Sequence, residues 1–152
     1  MLRPKLGDIT LADVSAGMLD VAAGKIAAAG DSAMRAVMLD LLADPLPEPR
    51  FDVIYSLMTL HHIPDTAAIL RRFRAALGVP GYLCIADLDT EDGSFHGTEV
   101  DVHHGFDRDA LGTMARRAGF AAVEFSTAHV MTKAAGSETH RYPIFLMVAR
   151  TA

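Results

Sequence analysis

The sequence predicts an α/β fold: a largely parallel sheet with helices on both faces, ending in a C-terminal antiparallel hairpin. Three observations carry this expectation. Short β-rich apolar runs alternate with segments of helical period from residue 9 to residue 118. The strand-like runs end in polar residues and lead straight into helical patterns, as strands do when a parallel sheet delivers side chains to a ligand at its carboxyl edge. After the last helical pattern, segments 120–129 and 142–150 are each long enough to be a strand, and no helix separates them.

The elements follow in order. Residues 9–13 read as a strand, and 16–29 carry Met18, Leu19, Ala22, Ala23 and Ile26 at helical spacing until Gly30 stops them. Ala36-Val-Met-Leu39 is a second short strand ending at Asp40, and 43–50, with Pro45, Pro47 and Pro49, is loop. Residues 52–56 form a third strand. A helix over 65–77 follows Pro64, presents Ile69, Leu70, Phe73 and Leu77 on one face, and ends at Gly78. The fourth strand, 81–87, has the apolar interior of a strand covered on both faces. A polar loop over 88–106 leads to Asp107, an N-cap for a helix over 108–118, where Phe106 can staple onto Leu111 and Gly119 ends the helix. A polar loop, 132–141, separates the last two strands.

Composition narrows the function classes. With 152 residues and 51% hydrophobic content the chain can bury a core without covalent staples, and without repeats or linkers it reads as one domain over 1–152. A net charge of −5 argues against nucleic acid or an anionic membrane as the main partner. Adjacent arginines occur at Arg71-Arg72 and Arg116-Arg117, and both pairs fit solvated helix faces. The single cysteine, Cys84, lies in an apolar strand pattern and reads as a core residue of a reducing, cytoplasmic compartment. Neither a signal peptide nor a long apolar span is apparent in the sequence.

The segments Ile9-Thr-Leu-Ala-Asp-Val-Ser-Ala-Gly-Met-Leu19 and Phe51-Asp-Val-Ile-Tyr-Ser-Leu-Met-Thr-Leu-His-His-Ile-Pro-Asp65 together resemble the class I S-adenosylmethionine-dependent methyltransferases, in the type 11/12 methyltransferase-domain group. The resemblance covers about residues 9–150. Val79-Pro80-Gly81-Tyr82 resembles that family's turn before its fifth strand, although two of the four positions depart from it, and Ala118-Gly119-Phe120 resembles the turn into its sixth. The resemblance implies a Rossmann-like sheet and S-adenosyl-L-methionine as cofactor. It implies Asp13, followed by Val14 and Met18, as the acceptor for the ribose hydroxyls, since a carboxylate can accept from two vicinal hydroxyls at once. It implies Asp40 and Leu41 at the adenine, and Ser56 and Leu57 along the methionine part. Residue by residue, Asp13 could equally cap a helix and Asp40 could be an ordinary strand-ending turn residue.

Four histidines near the expected sheet edge invite chemical roles. His61-His62 lies where an acceptor would approach, and His103-His104 lies in the acidic loop that closes over the pocket in relatives. Either His61 or His104 could take a proton as the methyl group transfers. The plain alternative is that His62 packs under the next helix and His61 caps a turn. A zinc site from His96, His103 and His104 with Asp101 would lack any fixed ligand spacing, so no metal is assigned. The methionines read as core filling.

The resemblance also implies a first strand and glycine-rich loop that nothing before Asp13 can supply. Such a strand would lie between 9–13 and 52–56. Its absence leaves three outcomes: direct pairing of those two strands, insertion of an element from a second chain as a homodimer, or folding of residues 1–8 into the gap. Direct pairing is favoured slightly, because it needs no partner. The functional expectation is methyl transfer to a small-molecule acceptor. The alternatives are a catalytically inactive binding or regulatory module and, more weakly, a nicotinamide (NAD) oxidoreductase. The last lacks its glycine fingerprint.

Overall fold

The computed structural model describes residues 6–48, 50–96, 101–135 and 138–152. The chain divides into two compact units, Met1–Pro45 and Leu46–Ala152. Residues 1–5, named above as a segment that could fold into a gap, lie outside the described residues.

The first unit is a βαβ element. Strand β1 (Ile9–Asp13), helix α1 (Ala16–Ala29) and strand β2 (Met34–Met38) follow one another, and the two strands pair in parallel from Ile9↔Met34 to Asp13↔Met38. Ser15 starts the helix, its hydroxyl accepting from the Met18 amide at 3.3 Å. Gly30 ends it at φ +61°, a left-handed conformation that glycine adopts without strain, and its amide bonds the Ala27 carbonyl. Leu19, Ala22 and Ile26 are half-buried, whereas Met18 and Val21 stay 59% and 53% exposed. The helical spacing is as expected; the apolar face is only partly covered.

The second unit holds a four-stranded sheet in the order β3-β4-β6-β5. Strand β3 (Phe51–Leu57), a single 3-10 turn (Leu60–His62), helix α2 (Thr66–Ala76) and strand β4 (Leu77–Leu88) form a second parallel βαβ element. Helix α3 (Arg108–Arg117) leads into β5 (Ala122–Ala135) and β6 (Glu138–Arg150). Strand β6 returns antiparallel between β4 and β5. Asp65 and Asp107 cap α2 and α3 through their carboxylates, accepting from Ala68 and Ala110 at 2.7 and 2.8 Å. Both helices pack on the sheet, α2 on β4 and α3 on β5, and they touch each other.

The core of this unit follows from strand alternation. Leu77, Leu83, Ile85 and Asp87 of β4 are buried, as are Phe145, Met147 and Ala149 of β6, and Leu70, Phe73, Leu111 and Ala115 supply the helix side. Cys84, on the opposite face of β4, is half-buried with a free thiol, and burial pushes its pKa up. Among the described residues no helix is long and apolar enough to cross a membrane.

Three expectations are corrected. Strands 9–13 and 52–56 do not pair: β1 has its ladder with β2 and β3 has its ladder with β4, in separate sheets. Each strand pairs with the neighbour its own helical crossover delivers, so the parallel βαβ geometry decides the partner. Residues 132–134 and 139–141 are strand rather than loop, because the ladder continues through Thr132↔Arg141, Lys133↔His140 and Ala134↔Thr139. A polar two-stranded ribbon needs no apolar alternation once its backbone bonds are made. Finally, the stretch between α2 and residue 81 is strand rather than turn, since Leu77 is already extended and pairs with Phe51. That extension is latched from the other end of the chain. The Thr151 hydroxyl donates to the Gly78 carbonyl at 3.0 Å and accepts from the Gly81 amide at 2.8 Å, while the Thr151 amide donates to the Gly81 carbonyl at 2.9 Å.

Candidate functional site

In the first unit, β1 and β2 end side by side at one carboxyl edge. Asp13 stands opposite Met38 in the ladder, and the Leu39 amide donates to the Asp13 carbonyl at 3.1 Å, which leaves Asp40 one residue further on. The two acids are thus neighbours at the end of adjacent parallel strands. Each also serves its own turn. Asp13 Oδ1 accepts from the Ser15 amide at 2.9 Å; Asp40 Oδ1 accepts from the Leu42 and Ala43 amides at 2.8 and 3.3 Å. The helix cap is Ser15 rather than Asp13. Val14 is 66% exposed and Leu41 is half-buried.

In the second unit, Ser56 and Leu57 end β3, with Ser56 half-buried and Leu57 66% exposed. The 3-10 turn that follows carries the histidine pair. His61 is 1% exposed and His62 is exposed, the reverse of a His62 packed under the helix. His61 Nδ1 donates to Asp87 Oδ1 at 2.6 Å, and Asp87 is itself fully buried at the end of β4. Two backbone amides hold that carboxyl group in place: Leu88 donates to Oδ1 at 2.8 Å and His61 to Oδ2 at 3.3 Å. The other His61 nitrogen, Nε2, lies 2.9 Å from His96 Nε2.

His96 reaches His61 because the loop that carries it is fastened down. The Phe95 ring packs edge-on against Tyr142 at 5.1 Å and joins Leu88, Tyr142 and Ile144 in a buried cluster. The Ser94 hydroxyl and the Tyr142 hydroxyl share a hydrogen bond at 2.7 Å, and Lys133 Nζ donates to the Phe95 carbonyl at 2.8 Å while lying 3.6 Å from the centre of its ring. Ser94 also donates to Asp92, which holds that exposed carboxylate below its usual pKa.

His61, His62 and His96 therefore form a cluster, with ring centres 4.1, 4.9 and 5.2 Å apart. His62 and His96 both have lowered pKa values. Burial is the main cause for each, and the neighbouring imidazoles add to it; Lys133 lowers His96 further, while Asp87 acts against the shift at His62 and Glu91 at His96.

The remaining expected histidines lie elsewhere. His103 Nε2 donates to the Ile63 carbonyl at 3.0 Å and meets Thr66 Oγ1 at 3.4 Å. His104 is exposed and lies over Gly93, where an added Cβ would sit 2.9 Å from its ring. The set His96, His103, His104 and Asp101 is thus not the one the fold assembles; His96 joins His61 and His62 instead. The backbone of 103–106 is laced to its surroundings, with His103 bonded to the His61 carbonyl at 2.9 Å and Phe106 to the Leu88 carbonyl at 2.9 Å. Gly105, at φ +72°, passes so close to the Asp89 carbonyl that a Cβ would come within 2.0 Å. Arg108 clasps Asp89 through two bonds of 2.6 Å, which raises the guanidinium pKa.

Sequence reasoning singled out neither Asp87 nor Lys133. An acid closing an otherwise apolar strand, one position before the carboxyl edge, was the available signal for the first. The second offered none.

Parallel βαβ elements followed by an antiparallel C-terminal pair put the chain in the α/β class. The profile of the family described as methyltransferase domain matches residues 1–83, more than half of the 152-residue chain and across the division between its two units. The chain belongs to that family. Among solved structures it is similar to a provisionally assigned methyltransferase of Bacillus halodurans, with TM-score 0.78 and 15% identity over 98% of this chain and 85% of that one. It is similar to an S-adenosylmethionine-dependent methyltransferase of Aquifex aeolicus, with TM-score 0.66 and 18% identity over 96% and 70%. It is also similar to the [4+2]-cyclase SpnF, with TM-score 0.69 and 15% identity over 95% and 67%. At these identities the likeness is one of fold. No curated protein matches the sequence.

Proposed function

We propose that this protein is an S-adenosylmethionine-dependent methyltransferase acting on a small-molecule acceptor. The observation that carries the reading is the placement of Asp13 and Asp40 at adjacent carboxyl ends of a parallel βαβ pair, within the stretch that matches the methyltransferase domain family. The donor set fits the cofactor. Asp13 would accept from the ribose hydroxyls, and Asp40 with the Leu41 amide would meet the adenine edge. Val14 and Met18, 66% and 59% exposed, offer apolar surface beside them. The family resemblance, rather than any observed contact, assigns Ser56 and Leu57 to the methionine part.

When bound, S-adenosylmethionine supplies a methyl group on a sulfonium that already carries its leaving group. The chain then needs chiefly to orient the acceptor, exclude water and receive a proton. His61 has both ring nitrogens committed, to Asp87 and to His96, so its part is to hold the cluster in register. His96, half-buried with a lowered pKa, is the member suited to take the acceptor's proton. His104, exposed over Gly93, is suited to touch the acceptor. The ending favours this reading over a nicotinamide oxidoreductase, because α3 leads into a hairpin whose last strand enters the sheet antiparallel.

Calorimetry with S-adenosylmethionine, S-adenosylhomocysteine and NAD tests the assignment. The two sulfur compounds should bind, if only weakly, and NAD should not. Asp13→Ala should weaken the sulfur ligands by about 1.5–3 kcal/mol, the range for a lost charge-assisted hydrogen bond. Binding of NAD alone, or an affinity indifferent to Asp13→Ala, defeats the reading. Methyl turnover then separates an enzyme from a binding module.

A further inference from the structure

We propose that His61, His62 and His96 form a three-histidine site for a divalent transition-metal ion of the zinc type, with Asp87 as the outer carboxylate that orients His61. The proposal stands on geometry and does not depend on methyl transfer; with the ion bound, His96 is a ligand and no longer a proton acceptor. One ring nitrogen from each histidine can be chosen so that all three lie within 4.8 Å of one another. Around a tetrahedral ion with metal–nitrogen bonds of about 2.0–2.1 Å, ligand nitrogens stand about 3.3 Å apart. The His61 and His96 nitrogens, at 2.9 Å, are already at that scale. The closure left to make falls on His62, which is exposed on a 3-10 turn and has room to turn.

The arrangement behind His61 is what separates this cluster from a chance gathering of imidazoles. A ligating histidine commonly donates its second ring N–H to a carboxylate, which fixes the tautomer and aims the other nitrogen at the ion. His61 does this to Asp87 at 2.6 Å, and Asp87 is buried completely and held by two backbone amides. The His61 Nε2 lone pair is thereby directed at the place where His96 arrives. Carboxyl groups are near enough to offset the added charge: Asp87 behind His61 and Glu91 beside His96. Three protein nitrogens leave a fourth position open to solvent, the pattern of a reactive rather than a purely structural ion.

The test uses the full chain freed of metal with chelator. Zinc is titrated against a chromophoric competitor, and cobalt(II) is followed by its visible absorption. One zinc per chain and the intense visible bands of four-coordinate cobalt are expected. His62→Ala and His96→Ala should each weaken zinc binding at least about tenfold, and Asp87→Asn by about 10–100-fold. His129→Ala, on exposed β5, should leave it unchanged. His62 is exposed, so its variant should fold normally, and far-ultraviolet circular dichroism checks that it does. Failure to bind one zinc per chain overturns the proposal. So does binding that survives the combined His62→Ala and His96→Ala variant, or cobalt spectra of the weak six-coordinate kind. Loss of S-adenosylmethionine binding in Asp13→Ala does not bear on it, which keeps the two readings separable.

Discussion

The Asp87 carboxyl group and the His61 imidazole meet at 2.6 Å, and both are withdrawn from solvent. The pair joins the end of β4 to the turn after β3, two points that are 26 residues apart in sequence. Removing one partner leaves the other buried without its bond. Asp87→Ala should therefore cost about 2–5 kcal/mol of folding free energy, measured by urea denaturation. A loss under about 0.5 kcal/mol, the size of an ordinary surface change, would show that water or a rearranged neighbour satisfies His61.

Stability should fall on mild acidification. His62 and His96 have folded pKa values below the ordinary 6.5, which they regain on unfolding. Between those values the unfolded chain binds more protons than the folded one, so stability is full above about pH 6.5 and declines as pH drops through the lowered folded values. Loss of solvent around the rings is the main cause of the shift, His61, His62 and Lys133 add to it, and Asp87 and Glu91 oppose it. Melting temperatures from pH 8 to pH 5 should decline, and the combined His62→Gln and His96→Gln variant should lose part of that slope. An identical slope in the variant would assign the decline to other groups.

Thr151 latches the start of β4 at Gly78 and Gly81 with its hydroxyl and its amide. Thr151→Val keeps the shape but leaves the Gly81 amide and the Gly78 carbonyl short of a partner. A destabilisation of about 1–3 kcal/mol is expected by thermal or urea unfolding. Thr151→Ser should restore most of it. Equal losses in the two variants would mean that packing of the threonine methyl, not its hydroxyl, matters.

Lys133 fixes the loop that delivers His96. Lys133→Met removes the bond to the Phe95 carbonyl and the charge over its ring, worth about 1–2 kcal/mol together. Hydrogen exchange should speed up at residues 91–96 while α2 and α3 keep their protection. Unchanged exchange in that loop would show that Phe95 and Tyr142 suffice to hold it.

Much of the fold was legible from residue pattern alone. The alternation of strand and helix, the stop at Gly30 and the caps at Asp107 and Gly30 all follow local rules that act within a few residues, and the structure bears them out. Strand partnership was less accessible, because β1 and β3 each chose between a sequence neighbour and a distant edge. The extended hairpin was hidden for a different reason. Thr132, Lys133, Thr139, His140 and Arg141 look like loop residues, and their strand character comes from backbone pairing rather than from side chains. That omission carried over to the site. Lys133 sits on the unforeseen part of the ribbon, and without it nothing in the sequence brings His96 to His61 across a separation of 35 positions. Metal-ligand spacing rules read neighbours, and this cluster is drawn from two loops.

Strand β6 leaves the ribosome after every other strand described here, yet it occupies the interior of its sheet. Until it arrives, β4 and β5 have no shared neighbour, and the apolar residues that Phe145, Met147 and Ala149 will cover are open to solvent or to chaperones. Completion of the sheet is thus a late event in the life of each molecule, and one that a premature stop codon at the start of β6 would prevent outright. Such a product would retain both parallel βαβ elements and still have no finished sheet, which makes it a candidate for proteolytic clearance rather than a weakened version of the protein.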